Sequence, residues 1–179
     1  MRPMFTVHAG EFLVGEYLNH KFARKYDVWV PTKDEGVDLL VTRRQRGRQR
    51  PVRLQVKFSR GFLSDSVPHD QLAAWGWFTP KPEKIRRSSA DLWIFVILTL
   101  RCEPYFVVIP TKELRKRIPK GTKGTWHLYL VALKKGYCFD VRGLPQETRQ
   151  VAYATGKITK QRCYTDYLGN WDLLHLASK

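Results

Sequence analysis

The chain is short of cysteine and of negative charge, and each shortage removes a class of protein. Three cysteines, Cys102, Cys138 and Cys163, lie far apart with no CxxC pair. An odd, scattered set offers neither a disulfide framework nor a zinc site, and it fits reduced thiols in a cytoplasmic protein. His8, His20, His69, His127 and His175 have no metal-ligand spacing. No GxxxxGK[ST] loop is present, so hydrolysis of a nucleoside triphosphate is not indicated. The longest apolar run, residues 92–100, is too short to cross a bilayer. The opening MRPMFTVHAGEF lacks the apolar block of a signal peptide. An intracellular, soluble protein with no membrane partner is therefore expected.

Sixteen Asp and Glu stand against 32 Lys and Arg, a formal charge of +16. Such an excess repels itself in a folded chain unless something anionic shares the surface. Nucleic acid is the commonest solution, because each neutralised phosphate releases a condensed counterion. A basic RNA-binding or ribosome-associated protein is a competing reading supported by charge alone. With 43% hydrophobic residues over 179 positions, one globular domain is expected over residues 1–179. Its core would span about residues 8–142, with residues 143–179 as a C-terminal extension of no clear pattern.

Residues 11–26 have helical periodicity. At about 100° per residue, Val14, Gly15, Leu18 and Phe22 fall on the Glu11 side. Glu11 therefore faces inward, where a carboxylate needs a metal, a cation or hydrogen bonds. Its competing role is to fold back onto its own helix N-terminus. Gly15 would let this helix approach a sheet closely.

Short strands are expected at residues 28–30 and 37–41, followed by VRLQVKF at residues 52–58. In the last, Val52, Leu54, Val56 and Phe58 alternate with Arg53, Gln55 and Lys57, a period of two. A basic hairpin, TRRQRGRQRP, joins the second strand to the third, and a turn centred on Arg46-Gly47 places Asp38 opposite Gln55. Asp70 is expected to cap a short helix, DQLAAWGWF, and residues 81–89 read as a polar linker. LWIFVILTL, apolar on both faces, reads as a central buried strand, and PYFVVIP as another. Thr111 is expected to cap a helix carrying Leu114 and Ile118 on one face, and residues 125–142 to form a hairpin turning near Lys135-Gly136. The fold class is α/β, a mixed central sheet flanked by helices.

Glu11, Asp38, Gln55 and Lys57 thus become a candidate constellation. Mg²⁺ takes about six oxygen ligands and usually keeps several waters, so a few protein groups suffice. Asp38 offers a carboxylate, Gln55 an amide oxygen, and Val56 a backbone carbonyl. Glu11 would meet a second ion or hold a water. Lys57 would orient or help deprotonate the attacking water and offset charge at a scissile phosphate. Taken singly, Asp38 reads as an ordinary strand-edge acid, and Gln55 with Lys57 as a solvated strand face.

Taken as an ordered set, Glu11 in the GE of the first helix, GVDLLV with Asp38, LQVKFS with Gln55 and Lys57, then DLWIFVIL and FVVIP, resemble the PD-(D/E)XK nuclease superfamily. The likeness is nearest to its Holliday-junction-resolvase-like and Mrr-like branches and covers roughly residues 8–110. The resemblance implies a restriction-endonuclease-like core and Mg²⁺-dependent cleavage of duplex or branched DNA, with Mn²⁺ as a substitute ion. It also implies action as a homodimer. It assigns Asp38 and Gln55 as metal ligands, Lys57 as the catalytic lysine and Glu11 as the accessory acid. Many members carry an acid where this chain has Gln55, which removes one negative charge from the site. A catalytically impaired DNA-binding module on the same scaffold is the alternative.

Arg43, Arg44, Arg46, Arg48 and Arg50 crowd the hairpin, and Arg60 follows the third strand. These six are the expected phosphate contacts. Arg86, Arg87 and residues 112–123 are secondary candidates. Trp75 and Trp77 are expected to pack in the core, with a base-stacking wedge as the competing reading.

Overall fold

A computed structural model describes residues 8–32, 36–44, 50–59, 70–99, 101–122 and 124–178. Helix α1 (Ala9–Phe22) precedes strands β1 (Tyr26–Trp29), β2 (Leu39–Arg43), β3 (Val52–Phe58) and β4 (Leu72–Phe78). Next come α2 (Pro82–Arg87), β5 (Leu92–Leu98), β6 (Pro104–Pro110), α3 (Thr111–Arg117), β7 (Leu128–Leu133) and β8 (Cys138–Asp140). Helix α4 (Gln146–Thr155), a 3-10 turn (Thr165–Tyr167) and α5 (Asp172–Ala177) follow. The strands form one eight-stranded sheet in the order β1-β2-β3-β5-β4-β7-β8, with β6 also paired to β5. Strands β3 and β5 run parallel and the other described pairs antiparallel. The chain is therefore α/β with a mixed, helix-flanked sheet. No described helix is long and apolar enough to cross a membrane.

The double-sided apolar run of β5 explains its place between β3 and β6. Leu92, Ile94 and Val96 join Val14 and Leu18 of α1 on one side. Trp93, Phe95 and Ile97 join Ile85 of α2 and Leu114 of α3 on the other. Each such side chain, once fully buried, contributes roughly 1.5–3 kcal/mol of transfer free energy, before the entropy of ordering it is set against it. Strand β3 alternates as its sequence requires: Val52, Leu54 and Val56 face the α1 side, so Gln55 and Lys57 face the other. The ladder pairs Leu39 with Leu54 and Val41 with Val52. These pairs keep the spacing that a turn centred on Arg46-Gly47 requires, but the ladder ends at Leu39: the Asp38 N–H bonds to the Leu54 carbonyl at 2.8 Å, and only its side chain reaches Gln55. The turn itself, residues 45–49, lies outside the described residues.

The parallel pairing of β3 with β5 is pinned at its start by Asp91. Its carboxylate accepts from the Arg53 N–H at 2.9 Å and from the Arg53 and Arg50 guanidiniums at 3.2 and 2.9 Å. Burial works to raise the Asp91 pKa, but the bonds from Arg53 and Arg50 outweigh it and hold the group below its ordinary value.

Several local expectations are corrected. Helix α1 ends at Phe22, and Tyr26 opens β1 instead of closing the helix. Within residues 70–78, Leu72–Phe78 form a strand, not a capped helix. Ala74 and Phe78 pack into one cluster and Trp75 into another, so both faces are buried, which a single helical stripe would not achieve. The expected linker contains α2, started by Pro82 and anchored by buried Ile85. Thr111 is the first residue of α3, not its cap, and its hydroxyl donates to the Ala90 carbonyl. Gly15 has nothing within 4 Å of an added Cβ, whereas a Cβ on Gly10 would lie 2.6 Å from Phe58 Cβ. Gly10, not Gly15, is the residue that lets α1 lie against the sheet. The hairpin of β7 and β8 turns through Gly136, as expected.

Candidate active site

Gly10 sets the first turn of α1 directly on the end of β3, against Val56 and Phe58. This placement carries Glu11, one residue on, to the same strand end. Glu11 is 9% exposed, so its carboxylate has little water to lean on. It accepts from the His8 N–H at 3.1 Å, which satisfies one free donor of the helix start. The fold-back role and the inward-facing role are thus both present. Burial pushes the Glu11 pKa up, the His8 N–H opposes this, the negative charge of Asp38 adds to the rise, and the Lys57 ammonium draws it back. Glu11 therefore lies within electrostatic reach of both Asp38 and Lys57.

Asp38 sits one residue before β2. Its Oδ2 accepts from the Val56 N–H at 2.6 Å and from the Gln55 amide. In a strand, the N–H and C=O of one residue point to the same edge, so the Val56 carbonyl also faces the Asp38 side. Gln55 is 7% exposed, and its Oε1 lies 3.7 Å from where a Cβ on Gly36 would stand. Gly36 has φ +82°, a conformation that favours glycine, and it lets the loop before β2 close over the amide. The Lys57 ammonium lies 5.6 Å from the centre of the Trp93 ring, over its face. Trp93 is the β5 neighbour of Gln55 in the parallel register, so the indole forms a wall beside both site residues. Sequence reasoning missed this wall, because pairing of β3 with β5 cannot be read from either strand alone.

The structure joins Asp38, Gln55 and Val56 by hydrogen bonds at one end of β3, with Glu11 on the α1 side of the strand and Lys57 on the opposite face, both within electrostatic reach. The donor set suits a divalent cation. The carboxylate of Asp38 stands beside an amide and a backbone carbonyl, the negative charge of Glu11 is felt from the α1 side, and like charges within reach of each other are relieved by a cation between them. Among the described residues, no group of three or more His, Cys, Asp or Glu is placed to hold a metal. A site here would depend on the Gln55 amide and the Val56 carbonyl beside two acids.

The basic residues divide. Arg44 pairs with Asp27 at 2.7 Å and Arg50 with Asp91 at 2.9 Å, so both have carboxylate partners within the fold. Arg43 closes β2 and is half-buried. Arg46, Arg48 and Arg60 lie outside the described residues, as do Asp34, Glu35 and His69. Of the two tryptophans, Trp75 is buried as expected, while Trp77 is half-buried within a stack of rings.

No family model, curated protein or solved structure matches the chain.

Proposed function

We propose that the chain is a metal-dependent endodeoxyribonuclease that hydrolyses DNA phosphodiester bonds, in repair or recombination or in restriction. The observation that carries this reading is the hydrogen-bonded group of Asp38, Gln55 and Val56 on β3, with the charges of Glu11 and Lys57 within electrostatic reach of one another. The charge of +16 supports a polyanionic substrate. Asp38, Glu11, the Gln55 amide oxygen and the Val56 carbonyl are the groups that would hold Mg²⁺ or Mn²⁺. Such an ion, when bound, supplies Lewis-acid stabilisation of the charge that develops at phosphorus and eases ionisation of water.

The remaining work falls to the chain itself. The Val56 N–H and the Gln55 amide fix the Asp38 carboxylate, so its second oxygen, Oδ1, is aimed without further ordering. Lys57, held over the Trp93 face, puts a positive charge within electrostatic reach of Glu11, and there it would attract the scissile phosphate and orient the attacking water. Glu11, tethered at His8, would accept a hydrogen bond from that water. For Gln55 to turn its oxygen toward an ion, the amide must rotate and give up its bond to Asp38.

That last point favours one second reading. The Gln55 amide nitrogen donates to Asp38, so the residue that stands in place of an acid spends its side chain on that carboxylate, which suits a DNA-binding module that kept the scaffold and lost cleavage. Nicking of supercoiled plasmid with Mg²⁺ or Mn²⁺ separates the two. The nuclease nicks, and Asp38→Ala and Lys57→Ala each lose about 100-fold or more of the rate while still binding DNA. Wild-type protein that binds DNA and never nicks it establishes the module.

A further inference from the structure

We propose that Trp77, His127 and Tyr129 form a platform on which an unpaired base of the DNA stacks, with Arg142 beside it. The inference takes the polymer from the proposed function and adds the structural class of substrate: DNA with unpaired bases, not perfect duplex. Trp77 lies on the face of β4 opposite Ala74 and Phe78, which pack against Ile97. The register of β4 with β7 sets Trp77 across from Tyr129. The Trp77 and Tyr129 rings stack with centres 5.6 Å apart and planes 20° apart, and those of Trp77 and His127 with centres 6.0 Å and planes 12° apart. Three half-buried rings thus share one stack, with Trp77 in the middle. The Tyr129 end rests on the cluster of Trp75 and Val131. A further ring would be added at the His127 end.

Two observations favour a nucleotide base as the guest. Arg142 is exposed, and its Nη1 donates to the His127 carbonyl at 3.3 Å, so a cation able to meet a phosphate stands at that end of the stack. The Trp77 backbone N–H donates to the Ser59 hydroxyl at 2.7 Å. Ser59 is the second residue after Lys57, so the platform is bonded to the strand that carries the site, about 7 Å along it. An aromatic face flanked by arginine, on a chain of this charge, is the arrangement that holds single-stranded DNA with little regard to sequence.

The test measures binding in EDTA, by fluorescence anisotropy, of a labelled single-stranded oligodeoxynucleotide and of its blunt duplex. His127→Ala is expected to weaken single-strand binding about 5- to 100-fold and to leave duplex binding within about twofold. His127→Phe, which keeps a ring, restores single-strand binding, and circular dichroism shows that both variants fold. Equal losses on both DNAs, no loss on either, or no restoration by phenylalanine overturns the platform. Because no divalent ion is present, the result is independent of cleavage. A protein that never nicks yet passes this test keeps the platform and loses the nuclease, and the reverse result does the opposite.

Discussion

An amide and a carboxylate at position 55 would hold Asp38 in opposite ways. The Gln55 amide donates to Asp38, whereas a glutamate there would place two negative charges in contact. At 7% exposure the added charge cannot be shed into water. Gln55→Glu should therefore lower stability by about 1–3 kcal/mol in EDTA, through the lost bond and the new repulsion. A divalent cation should recover that loss, because the variant offers one more carboxylate oxygen to it. Thermal melting with and without Mg²⁺ checks both halves. The expected outcome is a lower Tm than wild type in EDTA and a larger Mg²⁺-induced rise. Equal rises in the two proteins would mean that no ion sits between positions 38 and 55.

At the scale of elements, helix α1 delivers Glu11 only because its first turn lies against β3. Gly10→Ala puts a methyl 2.6 Å from Phe58 Cβ, at a rigid strand position, so helix or strand must shift. A cost of about 1–3 kcal/mol is expected, as for overpacking elsewhere, together with loss of nicking as Glu11 moves. Gly15→Ala meets nothing within 4 Å and lies inside the helix. It should raise stability by about 0.5–1 kcal/mol. Urea unfolding of both variants measures the contrast, and a stable Gly10→Ala would remove the close approach from the account. The same helix marks what the sequence could and could not disclose. Its inward face and Glu11 were legible from periodicity, because a helix repeats locally. Which glycine mattered depended on Phe58, distant in the chain. Strand β3 was legible for the same local reason, and so was its pairing with Leu39 to Val41, while the backbone bond of Asp38 to Leu54 departs from that register. Strand β4 was not, because Leu-Ala-Ala-Trp carries no clear period and its strand form depends on β7 and β5 as partners.

Over the whole molecule, the candidate residues stood out as an ordered set of residue types, while the contacts that hold them did not. The Asp91 clamp, the Trp93 wall and the Trp77 row all arise from sheet neighbours far apart in sequence. The charge of +16 was plain from composition, but its division into groups engaged within the fold and groups available to DNA required the ion pairs. Arg44 and Arg50 are engaged by Asp27 and Asp91, so part of their charge is already neutralised. Removing both should lower Tm and leave the salt dependence of DNA binding nearly unchanged. Arg46 and Arg48 flank Gly47 in the same basic segment and are the phosphate-contact candidates. Neutralising both should reduce the slope of log K against log salt by about 1.8, since each lost phosphate contact removes about 0.9. Titrations of a DNA duplex over a range of salt, without divalent ions, give both slopes on one axis. If the Arg44 and Arg50 pair flattens the slope and the Arg46 and Arg48 pair does not, the phosphates lie along the ion-paired arginines, and the path of DNA over this face must be redrawn through Asp27 and Asp91.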